Sequence, residues 1–376
     1  MMDCQKIPLG QLITPINGLW TGKKPPFKTV AVIRNTNFSK DCRLKMDDVA
    51  MIDVEERQFA LRKLQVGDII IEKSGGSDKQ PVGRPVLFDI PKGDYSFSNF
   101  TGTIRVNDES VILPAYLHKF LYHFYRQGKT AEMQSKTTGL RNLDFKAYLR
   151  ISVPVPTIEV QQRIVDELEL LSGVLERKNA QLRDIDALAQ SIFYEMFGDP
   201  VTNEKNWKTD SLGHACDLKA GKGIKASELS SVRLPGLYPC FGGNGIRGYI
   251  AKKSHNGVYP IIGRQGALCG NVQLATGEFY ATEHAVVCTL GEKLNPIFTY
   301  YALTAMNLNQ YATGVAQPGL AVKSLLPLPI VIPPIELQSE FGRRIVNLDN
   351  CKSEISSSIE ESETLFQSRM NLYFGS

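Results

Sequence analysis

Apolar residues recur along two stretches of the chain at alternating steps of three and four. The first stretch runs from Pro156 to Gly198 and carries Ile164, Leu168, Leu171, Leu175, Leu182, Ile185, Ala189, Ile192 and Met196, with Lys178 interrupting. The second runs from Pro333 to Gly375 and carries Phe341, Ile345, Leu348, Ile355, Ile359, Phe366 and Tyr373, with Lys352 and Ser362 interrupting. The two are copies at a constant offset of 177 residues. Pro156, Ile158, Glu159 and Gln161 return as Pro333, Ile335, Glu336 and Gln338, and Phe197-Gly198 return as Phe374-Gly375. A gapless repeat of this length signals architecture. A 3.5-residue apolar spacing is the seam of a coiled coil. Each copy therefore predicts one long helix, opened by proline where a missing N–H costs least, with a glutamate at the positive end of its dipole. Neither stripe can be buried alone, so the two helices are expected to pack on each other, antiparallel if the chain has pseudo-two-fold symmetry.

Between the helices the pattern changes to short β-branched runs broken by Gly, Asp and Pro, which predict strands. Residues 1–155 contain such runs at Val30–Arg34, Val66–Glu72, Val82–Phe88, Gly102–Val106 and Leu149–Val155, a helix at Leu113–Gln127, and polar loops at Lys73–Gln80 and Met133–Leu143. Residues 199–332 repeat the order in shorter form. Leu212-Gly213 and Gly221 match Leu9-Gly10 and Gly18 at an offset of 203, and strands are expected at Tyr238–Gly248, Val258–Gly263, Gly266–Leu274, Glu278–Thr289 and Leu325–Ile332. Asn295-Pro296 reads as a helix cap followed by a first-turn proline, opening a helix to about Tyr311. The expected organisation is a globule at 1–155, a helix at 156–198, a second globule at 199–332 and a second helix at 333–376. The fold class is α/β (α+β). Two related globules on paired helices suit DNA half-sites a helical turn apart, about 34–36 Å.

Composition narrows the function classes. The chain has 376 residues, 43% hydrophobic and 22% charged, with a net charge of +4. That permits an anionic partner without demanding one. Seven cysteines stand singly, with no CxxC spacing, so neither a zinc ribbon nor a disulfide framework is expected. The N-terminal residues lack the apolar core of a signal peptide, and no apolar run is long enough to cross a membrane, so a cytoplasmic location is expected. Gly243-x-Gly245-x-x-Gly248 fits a dinucleotide motif on paper, but Tyr249-Ile250 reads as strand where a helix is needed. Asn295-Pro296-Ile297-Phe298 lacks the second proline of an adenine methyltransferase motif, and no phosphate-binding G-x-x-x-x-G-K-[ST] occurs. The five histidines have no ligand spacing, so no metal site is expected, and the acidic residues do not assemble into an obvious nuclease site.

The doubled order, together with Val153-Pro154-Val155-Pro156-Thr157-Ile158-Glu159-Val160-Gln161-Gln162-Arg163-Ile164 and its echo Ile332-Pro333-Pro334-Ile335-Glu336-Leu337-Gln338, resembles the specificity (S) subunit of Type I restriction–modification enzymes. The run Tyr238–Ala285, with Phe241-Gly242-Gly243-Asn244-Gly245, Ile262-Gly263-Arg264-Gln265-Gly266 and Ala281-Thr282-Glu283-His284-Ala285, is similar to a target recognition domain of that family. The resemblance implies a non-catalytic subunit in which each globule reads half of a bipartite double-stranded DNA site. The helices would set the spacing and dock two methyltransferase subunits, with restriction subunits as optional further partners. S-adenosylmethionine, ATP and Mg would belong to those partners, and no cofactor to this chain.

Polar and basic loop residues are the expected DNA readers, since Arg and Lys suit guanine or phosphate and Asn and Gln suit adenine. In the first globule these are Lys23, Lys24, Lys73, Lys79, Gln80, Arg84, Lys136 and Arg141. In the second they are Lys222, Lys225, Asn244, Arg247, Arg264, Gln265 and Gln317. The expected helix-pair and partner interface is Leu168, Leu171, Leu175, Leu182, Ile185, Ile345, Leu348, Ile355, Ile359 and Phe366. The rival reading is a bilobed protein-binding scaffold that recognises no DNA. Salt-dependent DNA affinity separates the two.

Overall fold

The computed structural model describes residues 5–77, 80–137, 140–314 and 318–375, without the side chains of residues 136 and 137. Both predicted long helices are present, as Ile158–Phe197 and Ile335–Phe374, each of 40 residues. At about 1.5 Å per residue each is about 60 Å long. The chain divides into two compact units. One comprises Met1–Arg177 with Ile359–Ser376, and the other Lys178–Ser358. Each unit thus contains a stretch of both long helices.

In the first unit the strand Gln5–Pro8 pairs antiparallel with Ser152–Val155, Ile7 opposite Val153. A four-stranded sheet follows in the order Ile13–Asn17, Thr101–Val106, Ile69–Glu72, Pro85–Leu87. A three-stranded sheet sets Phe27–Ile33 between Ala50–Glu55 and Tyr95–Phe97. The main core of the unit joins Ile69, Ile71, Ile104, Leu117 and Tyr148 to Ile164, Val165 and Leu168 of the first long helix and Phe366, Met370 and Phe374 of the second. The helix Pro114–Arg126 lies against this layer, with the Phe374 ring centred 5.4 Å from Tyr116 and 5.9 Å from Phe120.

The second unit is built on the same plan. Lys208–Ser211 pairs with Pro329–Ile332, Thr209 opposite Val331. A six-stranded sheet has the order Cys216–Ala220, Ala285–Leu290, His255–Gly263, Val272–Ala281, Tyr238–Gly242, Gly245–Ile250. The helix Pro296–Ala305 takes the place of 114–126, and Phe298 meets Phe197 with ring centroids 4.7 Å apart. Phe197 and Phe374 are repeat partners, so each unit is closed by the last turn of one long helix.

One polar device recurs at the start of both helices. Gln161 is fully buried. Its Oε1 accepts from the Leu113 N–H at 2.9 Å, and its Nε2 donates to the carbonyls of Val111 and Pro156. Gln338 does the same with the Asn295 N–H at 2.8 Å and the carbonyls of Lys293 and Pro333. The repeated glutamine therefore ties the first turn of each short helix to the first turn of a long one.

The helices do pack on each other. In the second unit Lys178 donates to the Ser358 carbonyl and hydroxyl at 2.9 and 2.6 Å, and Lys352 reaches Asp186 at 2.6 Å. The first contact advances along one helix as the second retreats along the other, so the pair is antiparallel. Both lysines that break the apolar seam thus find partners across it. In the first unit Glu167 receives Arg369 at 2.9 Å and the Tyr373 hydroxyl at 2.5 Å. Leu168, Ile345 and Phe366 are buried, whereas Leu171, Leu175, Leu182, Ile185, Leu348, Ile355 and Ile359 are half-buried, as expected where one helix has a single helix to cover it. Towards its end the buried stripe rotates: Phe193 and Phe197, not Ile192 and Met196, lie deepest, because there the helix is wrapped by the unit's own core.

Several expected boundaries shift for tertiary reasons. The polar loops 73–80 and 133–143 contain strands, Gln134–Thr137 and Leu140–Leu143, with Ser74–Gly76 pairing on the second. Val66–Gly67 precede the strand that starts at Ile69. Residues 266–271 form turns before the strand Val272–Ala281, and Thr282–His284 interrupts the expected strand 278–289. The helix opened by Pro296 ends at Ala305, and Asn307, at φ 47°, breaks it before a 3-10 turn at Leu308–Tyr311. Asn295 caps it as expected, accepting from Ile297 and Phe298 N–H.

Candidate nucleic-acid interface

In the second unit four loops meet at one end of the six-stranded sheet. They are 221–225, 242–245, 264–266 and 282–284, each beginning where a strand stops. Glycine lets them nest. A Cβ on Gly221 would stand 2.0 Å from the Ala281 carbonyl, and one on Gly263 1.8 Å from that of Gly243. Gly243 lies against His284, Gln265 and Arg264 backbone atoms. The Gly243-Gly245-Gly248 spacing is accordingly a packing device within a hairpin, Gly242 opposite Gly245. A fifth segment joins, as Gly319 bridges to Gln265 and Leu320 N–H donates to the Arg264 carbonyl at 2.8 Å.

This nesting gathers Lys222, Asn244, Arg247, Arg264 and Gln265 on one surface, with Lys225 beyond Gly223. Lys222, Lys225, Asn244, Arg247 and Gln265 are exposed, and Arg264 is half-buried. Arg247 lies over Gly242 along its aliphatic stem, and Asn244 accepts from Asn271 at 2.7 Å. Among the described residues the cations Lys222, Lys225, Arg247 and Arg264 have no carboxylate within ion-pairing distance, whereas Lys252 and Lys253 elsewhere in the unit are paired with Glu228 and Glu278. A surface that leaves its cations unpaired in one place attracts polyanions there.

The first unit has the corresponding surface. Gly18 would place a Cβ 2.0 Å from the Ser98 carbonyl, and Lys73 and Ser74 N–H both donate to the Phe100 carbonyl. Lys73 donates to Asn17 Oδ1 at 3.0 Å, lies 5.3 Å from the Phe145 ring centre, and has its pKa lowered by burial. Asn35 joins through Nδ2 to the Ser74 carbonyl at 2.6 Å, and Ser74 donates to Asn142 at 2.5 Å.

The sequence model described as the Type I restriction modification DNA specificity domain matches the chain twice, over residues 30–184 and 204–362. The chain belongs to this family. The EcoprrI Type I restriction enzyme specificity subunit of Escherichia coli is 35% identical over 250 residues, which is 63% of this chain and 62% of that protein. A type I restriction enzyme specificity subunit of Haemophilus influenzae is 32% identical over 156 residues, 40% of this chain and 39% of that one. The chain therefore spans less than two thirds of the length of either relative. The S subunit of a Type I restriction–modification system from M. genitalium shares the fold, with a TM-score of 0.61 at 13% identity, covering 100% of this chain and 97% of that one.

For this specificity-domain protein the structure sorts the remaining expected readers. Lys23 and Lys24 are exposed on the loop after the strand Ile13–Asn17, and Gln80 is half-buried and exchanges backbone hydrogen bonds with Ser77. Arg141 is half-buried on the strand Leu140–Leu143. Lys79, Gln317 and the Lys136 side chain lie outside the described residues. Arg84 is a correction. It is 6% exposed, forms two hydrogen bonds to Glu72 at 2.6 and 3.0 Å, and donates to the Phe38 carbonyl at 3.1 Å. A guanidinium so enclosed holds the sheet to the loop beneath it and has no donor left for a base. Residues not chosen as readers from the sequence enter the site instead: Asn17, Asn35, Asn99 and Asn142 in the first unit, Glu283 and His284 in the second. The last two stood in the Ala281–Ala285 run that carries the family resemblance.

Proposed function

We propose that this chain is the DNA sequence-specificity subunit of a Type I restriction–modification system. Residues 1–155 and 199–332 are its recognition domains, each reading one half of a bipartite double-stranded site, and the helices 156–198 and 333–376 are the spacer and the docking surface for two methyltransferase subunits. The observation that carries the reading is the duplicated loop surface, built on a repeated frame but lined with different side chains in each copy. Such an object suits an asymmetric split site. The chain itself contributes recognition and no catalysis. S-adenosylmethionine, ATP and Mg act on its partners, restriction subunits among them, and the assembly works in the cytoplasm.

The test is the methylation pattern of a complex with its methyltransferase subunit, on random-sequence DNA. One bipartite motif is expected. Replacing Arg264 and Gln265 together by Ala should relax one half of it and leave the other. Each lost base contact is worth about 1–3 kcal/mol of discrimination. Methylation without sequence preference, or no salt-dependent DNA affinity in the complex, refutes the reading in favour of a protein-binding scaffold.

A further inference from the structure

The two loop surfaces share one turn, held by the same bonds in both units. In the first unit it is Ser98-Asn99-Phe100, and in the second Thr282-Glu283-His284. Thr101 N–H donates to the Ser98 carbonyl at 3.0 Å, as Ala285 N–H donates to that of Thr282 at 3.0 Å. The last carbonyl of the turn accepts from a cationic residue's N–H in both, Phe100 from Lys73 and His284 from Arg264, each at 2.9 Å. The first carbonyl of each turn is packed by the paired glycines Gly18 and Gly221, whose Cβ positions would fall 2.0 Å from the Ser98 carbonyl and 2.7 Å from the Thr282 carbonyl. Even the first hydroxyl behaves alike, because Ser98 Oγ and Thr282 Oγ1 are both buried without a partner. A backbone this constrained presents its second and third residues in a fixed pose. Between the units the first residue keeps a hydroxyl, whereas the second and third change chemical class.

We propose that this turn carries the specificity-determining pair of each unit, and that the second residue reads the base: Asn99 an adenine, Glu283 a cytosine. The assignment rests on the functional reading above. Asn99 is exposed, and among the described residues its amide has no partner. An amide of this kind meets adenine N6 and N7 together. Glu283 stands between Ala281 and His284, whose carbonyls accept from the Lys222 and Arg264 N–H, yet among the described residues it forms no ion pair with Lys222, Arg247 or Arg264. Oε2 is enclosed beside Gly223 with no donor, so the acceptor this half-exposed side chain offers a base is Oε1, which meets His284 Nε2 at 3.2 Å. A carboxylate weakens phosphate binding wherever it faces DNA. It is retained at such a place when it accepts from a base amino group, which for a carboxylate is cytosine N4. Phe100, 46% exposed, and His284 stand beside them as flat rings on the same surface.

The test uses the complex with its methyltransferase subunit and a library of duplexes with randomised bases, read by sequencing the methylated products. Glu283→Gln, which keeps the shape and adds a donor, should lower the preference for cytosine at one position by about tenfold or more. That position should lie in the half-site relaxed by the Arg264/Gln265 double substitution. Asn99→Asp should alter one position in the opposite half and none in this one. A wild-type motif that both variants leave unchanged overturns the assignment alone, as does a uniform loss of methylation across all sequences in variants that melt at the wild-type temperature. A wild-type complex with no motif overturns the functional reading and this assignment with it. Should Glu283→Gln lower the melting temperature, Asn99→Asp in the other unit decides by the same criterion.

Discussion

Replacing Gln338 by leucine tests whether the repeated glutamine holds the short helix to the long one. Leucine has nearly the same volume, so little cavity is created and the loss is one of hydrogen bonding. The substitution leaves the Asn295 N–H without its acceptor at 2.8 Å and the carbonyls of Lys293 and Pro333 without their donors at 3.0 and 2.8 Å. Gln338 has 0% exposure, so water cannot readily replace these bonds. Each buried group left unsatisfied costs about 1–3 kcal/mol. Carbonyls tolerate this better than an N–H, which brings the sum to about 3–5 kcal/mol. Urea unfolding at neutral pH, followed by tryptophan fluorescence from Trp207, which packs against the core of the same unit, should show the midpoint lowered accordingly. Gln161→Leu should behave alike in its own unit, where the bonds are the same in kind and number. A loss below about 1 kcal/mol for both would mean that the glutamines merely fill space, and would refute the reasoning.

Arg84→Met should cost about 3–5 kcal/mol, because it strands the Glu72 carboxylate, 2% exposed, in the core. Arg247→Ala, at an exposed site, should change stability by less than about 0.5 kcal/mol while weakening DNA binding by the complex; chemical denaturation and DNA titration of both variants check the contrast. His123 gives a pH dependence. It is 4% exposed, and burial, with Lys129 adding repulsion, pushes its pKa from 6.5 down to about 4. The unfolded chain then binds the extra proton between these values. The contribution is therefore fully present above about pH 6.5 and is lost as pH falls toward 4, at about 1.4 kcal/mol per pH unit. Denaturation midpoints at pH 7 and 5 should converge in His123→Gln relative to the wild type; equal slopes in both proteins would contradict the assignment.

The pairing of the long helices was legible from residue order alone. An apolar seam repeated at a fixed offset has few other ways to be buried, and both lysines that interrupt it find partners across the seam. The prolines, the Asn295 cap and the glycine-rich loops were legible for a similar reason, since each acts over a few residues of backbone. What sequence could not supply was company. Arg84 looks like any loop arginine until the sheet folds Glu72 beneath it. Phe193 outranks Ile192 only because a globule wraps that end of the helix. Asn99 and Glu283 become equivalent only when Lys73 and Arg264, remote in sequence from them, bond to the same turn. Periodicity is a local property, carried by neighbours three or four residues apart. Burial, pairing and the convergence of loops depend on which distant strands end side by side, and that is decided by the tertiary fold.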